Sequence, residues 1–378
     1  MHETHPAHRA RTWLFVGTRG GWAFAAAALI CIGASAQEAA LIGASLPLTG
    51  KDASYGRELL DGARACLAAS AAKNVQLEAL DDGGDAGRAA QNLRGLASNS
   101  RMLAVLGTFG TESTQAAMPV LEEARLAMVG PSTGSESLRS GGQRYMFHLR
   151  AGHMDEAAAI VTQLAELGIA EAAVIHTSDA LGQEGLEGTR VEMARLTLRP
   201  SVVLALDASG TLAPAALKQL VAAAPPAVIL IAHQAQAVPF IVQLRSTSLR
   251  PTITAVSEAG GELLFEKVGP SARGIGLAQV MPHPWSANLP VTRFYQAAMK
   301  ALGQDKLGYY SFEGCMQMRV ALESLGRTAR PVTRDKLVSA LESDFDFGGM
   351  RFQFAPRKRV GGRFVEMTVI NQSGRVAR

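Results

Sequence analysis

From Ala40 onward the chain alternates short apolar runs with longer segments of helical period, and few folds accept that order. An apolar run of about four to eight residues between such segments reads as a strand. A helix between each strand and the next makes the sheet parallel. The runs at 41–46, 75–80, 102–106 and 126–129 predict four strands, with helices near 55–71, 86–98 and 113–125 between them. A second series repeats the plan at 172–176, 201–206, 227–231, 252–256 and 274–278 without repeating the sequence. Two prolines within Met281-Pro282-His283-Pro284-Trp285 forbid a helix there and predict an extended crossover between the two units. Helices near 290–302, 309–326 and 333–342 follow, and the chain ends in β-rich stretches at 350–354 and 363–370. The expected class is α/β, with two doubly wound parallel-sheet lobes. A length of 378 residues agrees, because a single core rarely grows beyond about 250–300 residues.

Before Ala40 the pattern is different. Arg9, Arg11 and Arg19 precede an uncharged apolar run at 22–34 and then Ala34-Ser35-Ala36. These are the basic, apolar and small-residue regions of a secretory signal peptide, and the run is shorter than the roughly 20 residues a spanning helix needs. Residues 1–36 are therefore expected to be removed, leaving a periplasmic protein. Lipidation at Cys31 is the rival reading, but Ile30 precedes it where a small residue is expected. Removal lowers Lys+Arg from 37 to 34 and Asp+Glu from 33 to 32, so the formal charge falls from +4 to +2. No basic cluster with interleaved aromatics remains, which argues against nucleic acid as a partner. Cys66 and Cys315 are far apart, without a CxxC or nearby histidines at ligand spacing, and no metal or cofactor is expected. Both fall in predicted helices as small buried side chains, and they are expected to be free thiols.

Parallel sheets bind ligands at the carboxyl ends of their strands, so the loops there are where function is sought. After the third strand comes Gly107-Thr108-Phe109-Gly110-Thr111-Glu112-Ser113-Thr114, which opens a helix. It reads either as an anion cradle of amides and hydroxyls or as an ordinary capped helix start. After the fourth comes Gly130-Pro131-Ser132-Thr133-Gly134-Ser135, equally hydroxyl-rich. Together the loops could hold a carboxylate through the Thr111 and Thr133 hydroxyls and the amides of Thr133 and Gly134. The second unit offers Ser178-Asp179-Ala180-Leu181-Gly182, then His233-Gln234, then Ser257-Glu258-Ala259-Gly260 at its own strand ends. Glu258 reads either as the acceptor for a ligand's ammonium, opposite the cradle, or as a solvated loop carboxylate. There is no H-E-x-x-H and no GxxxxGK[ST], and no enzymatic constellation is expected.

With these residues in place the sequence resembles the type I periplasmic solute-binding proteins of the leucine/isoleucine/valine-binding class. The resemblance runs through Ile42-Gly43-Ala44-Ser45-Leu46-Pro47-Leu48-Thr49-Gly50 with Tyr55-Gly56, Asp81-Asp82, Gly107 with Ser113-Thr114, and Pro131-Ser132-Thr133. It continues through Asp179-Ala180-Leu181-Gly182, Ser311-Phe312-Glu313-Gly314 and the ending at 364–370. It implies a three-strand hinge, with a first lobe at 37–151 and 281–344, a second lobe at 152–280, and a return segment at 345–378. It implies a monomer that closes on an amino acid or related small carboxylate and presents the closed form to an ABC permease; a ligand sensor on the same fold is the alternative. Carried over, the ligand contacts fall on Thr111, Ser132, Thr133, Gly134, Leu181, His233, Gln234 and Glu258. The sequence departs from the family at Gly134, where a threonine is common, and at Leu181, where an aromatic is. It departs again at His233 or Gln234, where a tyrosine is common. The leucine-binding members' disulfide between the Asp-Asp loop and the cradle has Gly84 and Gly110 at its two positions here.

Overall fold

The computed structural model describes residues 39–140, 142–260 and 262–377. The signal peptide expected at 1–36 lies outside the described residues. In the first lobe β1 (Ala40–Leu46), α1 (Ala53–Ala68), β2 (Val75–Asp81), α2 (Ala86–Ser98), β3 (Met102–Leu106), α3 (Thr111–Ala124), β4 (Ala127–Val129) and β5 (Met146–Phe147) follow in turn. The strands form one parallel sheet in the order β2-β1-β3-β4-β5. The second lobe contains α4 (His153–Glu166), β6 (Glu171–His176), α5 (Ala180–Arg195), β7 (Arg199–Ala205), α6 (Pro214–Ala223) and β8 (Ala227–Ile231). It continues with α7 (Gln234–Arg245), β9 (Thr252–Ala255), α8 (Glu262–Val268) and β10 (Gly276–Gln279). Its parallel strands lie in the order β7-β6-β8-β9-β10, the same winding as the first. In each sheet the order reverses beside the first strand, which opens a crevice at the carboxyl edge.

The chain crosses between lobes three times. Residues 148–152 lead from β5 to α4. Residues 280–289, with their two prolines, lead from β10 to α9 (Pro290–Ala301), which with α10 (Tyr309–Arg327) and α11 (Arg334–Leu341) packs in the first core. The third crossing falls later than the boundary at 345 read from the sequence. A hairpin of β11 (Asp344–Asp346) and β12 (Arg351–Gln353) buries Phe345, Phe352 and Phe354 in the first core. Only β13 (Glu366–Ile370) and β14 (Val376–Ala377) join the second sheet, antiparallel beside β10. The aromatic side chains of the hairpin are apolar surface that the first lobe buries, and this keeps it there.

The expectation of free thiols is overturned: Cys66 and Cys315 form a disulfide. They lie on α1 and α10, whose backbones touch. A Cβ on Gly62 would stand 1.7 Å from the Ser311 carbonyl oxygen, and one on Gly314 would stand 2.0 Å from that of Leu59. Two glycines thus bring the helices close enough to place the cysteine Cα atoms 5.2 Å apart, within bridging range. Their separation of 249 residues left no spacing signal to read. Among the described residues no helix is long and apolar enough to cross a membrane.

Candidate functional site

The loops after β3 and β4 are tied into one platform. Ser132 N donates to the Thr108 carbonyl at 2.9 Å and Gly110 N donates to the Ser132 carbonyl at 3.2 Å, extending the sheet by one bridge. Gly110 turns the chain into α3 at φ +85°, a left-handed conformation that suits glycine. Thr111, the first helical residue, then meets Thr133, with the hydroxyl oxygens 2.7 Å apart. Thr133 Oγ1 also accepts from Ser135 N at 3.2 Å. Among the described residues no hydrogen bond engages the amides of Thr133 and Gly134. Beneath them the Arg139 guanidinium donates to the carbonyls of Thr133, Gly134, Arg150 and Ala151. Hydroxyls, unpaired amides, the start of α3 and a cation below make an edge suited to an anion. Ser132 is not part of that edge: its amide is spent on the platform and its hydroxyl accepts from Gln317 of α10 at 3.1 Å.

Facing this edge, the second lobe presents a chain of alternating charges. Glu258 follows β9 in a short 3-10 turn. Its Oε1 lies 3.1 Å from His153 Nε2 and its Oε2 2.9 Å from His233 Nδ1. The other nitrogen of each ring meets another carboxylate, Glu184 at 2.7 Å from His153 Nδ1 and Asp179 at 3.2 Å from His233 Nε2. With an acceptor at every ring nitrogen, each imidazole donates twice and is an imidazolium. The electrostatics agree. Burial pulls the His153 ring down, but Glu184 and Glu258 outweigh it and hold it up at about 9. His233 is likewise pulled down by burial and raised by Asp179 and Glu258 to about 10. Burial would raise Glu258, yet His153 and His233 keep it well below the ordinary carboxylate range.

Glu184 also joins the lobes. It accepts from Ser135 Oγ and Glu136 N of the first lobe, both at 2.9 Å. A second contact across the cleft runs from Tyr55 Oη to Gln234 Oε1 at 3.0 Å. Tyr55 stacks on Phe109 with ring centroids 5.2 Å apart and tilts against Tyr310 at 4.8 Å, forming an aromatic wall beside the cradle. At the hinge Arg150, 2% exposed, donates to Ser257 Oγ at 3.0 Å and lies 3.7 Å from both Glu156 and Glu313.

A family model described as periplasmic binding protein matches residues 41–369. The chain belongs to the periplasmic binding protein family. A substrate-binding periplasmic protein from Ralstonia solanacearum is 29% identical, with a TM-score of 0.78 over 89% of this chain and 99% of that one. A possible leucine/isoleucine/valine-binding protein from Rhodopirellula baltica is 26% identical, with a TM-score of 0.78 over 89% and 95%. An amino acid binding protein of Pseudomonas aeruginosa is 26% identical over 189 residues, 48% of this chain, and the match spans about half of that relative.

In this periplasmic binding protein, Thr111, Thr133 and Gly134 meet on one edge while His233, Gln234 and Glu258 meet on the facing one. Leu181 belongs elsewhere: it is 2% exposed and packs in the second core with Ile160 and Val256. The sequence reading missed His153, Arg150, Glu184 and the aromatic wall. His153 obeys the rule that found the others, since it follows a strand. That strand, Met146–Phe147, is only two residues long and leaves no readable run. Among the described residues no group of His, Cys, Asp and Glu could hold a metal ion.

Proposed function

We infer that this chain is the periplasmic substrate-binding component of an ABC importer, secreted through its N-terminal leader, which closes on an amino acid or related small carboxylate. The observation that carries this reading is the Thr111–Thr133 hydroxyl pair beside the free amides of Thr133 and Gly134, above Arg139. Thr133 Oγ1 already accepts from Ser135 N, so it can donate to Thr111 and leave the Thr111 proton for a ligand oxygen. The names borne by the relatives support an amino-acid-like ligand.

Ligand seated on the first lobe stabilises closure because only the closed form touches it from both sides. Glu184 on Ser135 and Glu136, and Gln234 on Tyr55, are the protein's own share of that closed interface. A permease then reads the closed shape.

The test is a thermal-shift screen of the purified protein against small carboxylates and the matching neutral amides. A ligand at 100 times its Kd stabilises by about 2.7 kcal/mol. Carboxylates are expected to raise the midpoint, amides are not, and Thr111→Val with Thr133→Val is expected to abolish the shift. Equal stabilisation by acids and amides, or a shift that survives in the double variant, refutes the carboxylate assignment.

A further inference from the structure

Glu258 is where the resemblance puts a ligand's ammonium, yet each of its oxygens already accepts an imidazolium N–H, which fills two of its roughly four acceptor positions with cations. The two rings are held differently: His153 is buried, whereas the His233 side chain is 46% exposed and is held through its two carboxylate partners. His153 is 1% exposed and wedged against Gly134, where an added Cβ would stand 2.4 Å from its Cδ2. Its far partner Glu184 is fixed by Ser135 Oγ and Glu136 N. On the other side Asp179, the far partner of His233, accepts from Thr177 Oγ1 at 2.6 Å and from Gly182 N at 3.0 Å. An ammonium placed on Glu258 would stand beside two imidazolium cations, one of them buried, and it needs about three acceptors. Two side-chain oxygens of the adjoining loops are already engaged. Ser257 Oγ accepts from Arg150 and donates to Glu156, and Gln234 Oε1 accepts from Tyr55.

What the second lobe has to spare is donors. The amide nitrogens of Gln234 and Gln279 are both buried without a partner among the described residues. Gln279 lines a cavity of about 60 Å³ that reaches Tyr55, Tyr310 and Ser257. We propose that the ligand is a carboxylic acid without an ammonium group, such as a 2-oxo, 2-hydroxy or aromatic acid, because the His153–Glu258–His233 clamp already sets one cation on each oxygen of the ammonium acceptor. The proposal rests on the carboxylate reading of the cradle and narrows it. Thr111 and Thr133 hold the carboxylate, the amide donors meet an oxygen of the ligand, and its apolar body lies against Tyr55, Phe109 and Tyr310.

Calorimetric titration with acids matched except at the α-carbon separates the two claims: leucine against 4-methyl-2-oxopentanoate, and phenylalanine against phenylpyruvate, with benzoate as a third acid. The ammonium-free member of a pair is expected to bind at least about tenfold tighter, a difference of about 1.4 kcal/mol. If the amino acids bind equally well or better, the carboxylate reading stands and the clamp argument is wrong. If no acid binds, both fall. In His233→Ala, which frees Glu258 Oε2, the preference is expected to move about tenfold or more toward the amino acid. An unmoved preference means that the clamp does not set specificity and overturns the proposal.

Discussion

Replacing Arg150 by methionine removes the guanidinium that joins Glu156 of α4 to Glu313 of α10, and both carboxylates stay buried when it goes. A stranded buried carboxylate escapes by taking up a proton. At pH 7, protonating a group of ordinary pKa about 4.3 costs about 3.7 kcal/mol, which caps the penalty at about 7 kcal/mol for the two. Glu156 keeps its bonds from Ser257 N and Oγ, so part of its charge remains compensated. A loss of about 3–5 kcal/mol at pH 7 is therefore expected, in line with breaking other buried pairs. The pH dependence makes the test specific, because at pH 5 the same protonation costs only about 1 kcal/mol per carboxylate. Urea unfolding of Arg150→Met and the parent at both pH values measures the gap, which is expected to narrow to about 1–2 kcal/mol at pH 5. Adding Glu313→Gln to the variant is expected to recover about half of the loss at pH 7. A loss that is the same at both pH values, or one below about 1 kcal/mol at pH 7, refutes the argument that stranded charge is the cost.

The imidazoles make closure sensitive to alkali. His153 and His233 are raised to about 9 and 10, so their contribution is complete below the ordinary histidine pKa of about 6.5 and lost as pH rises through 9–10. Glu258 is depressed, so its contribution is present above about pH 4.3 and lost as pH falls through its lowered value. Ligand affinity measured by calorimetry is expected to hold from about pH 5 to 8 and fall toward pH 10; a flat profile across 8–10 contradicts the clamp. The Cys66–Cys315 bridge predicts no alkylation of either residue before reduction, and a loss of about 2–4 kcal/mol in the double serine variant; ready labelling of the native protein would contradict it. Gly134→Thr and His153→Ala are each expected to weaken ligand binding. Combined, they are expected to deviate from additivity by about 0.5–3 kcal/mol because one side chain occupies the space of the other.

Much of the fold was legible because its central strands are buried on both faces, whereas β2 and β7 at the sheet edges are not. Burial on both sides writes an unbroken apolar run into the chain, and β1, β3 and β8 are such runs, with nearly every residue buried. Elements that fold through distant partners left no such mark. Strand β5 has two residues, and the β11–β12 hairpin belongs to the first lobe only because Phe345, Phe352 and Phe354 find that core. The disulfide depends on Gly62 and Gly314 letting two helices touch, a contact made across the whole second lobe. Position after a strand placed Thr111, Thr133 and Glu258 on the facing edges of the cleft. It could not distinguish Ser132, which turns toward α10, or Leu181, which turns into the core.

The departures from the family pattern also look different once their neighbours are known. Read one at a time, glycine at 134 is the loss of a hydroxyl and histidine at 233 is the loss of an aromatic. In the folded protein the space beside Gly134 is filled by His153, and any Cβ at 134 would collide with that ring. His153 and His233 together then bracket Glu258 from its two sides. Four positions distant in sequence thus form one unit, since the glycine admits the first imidazole, the glutamate binds both, and Glu184 and Asp179 pair with them. Glu258 retains the position that the family pattern assigns it but faces different partners. Its chemistry is set by what now sits within 3.1 Å of its oxygens, not by the residue type alone.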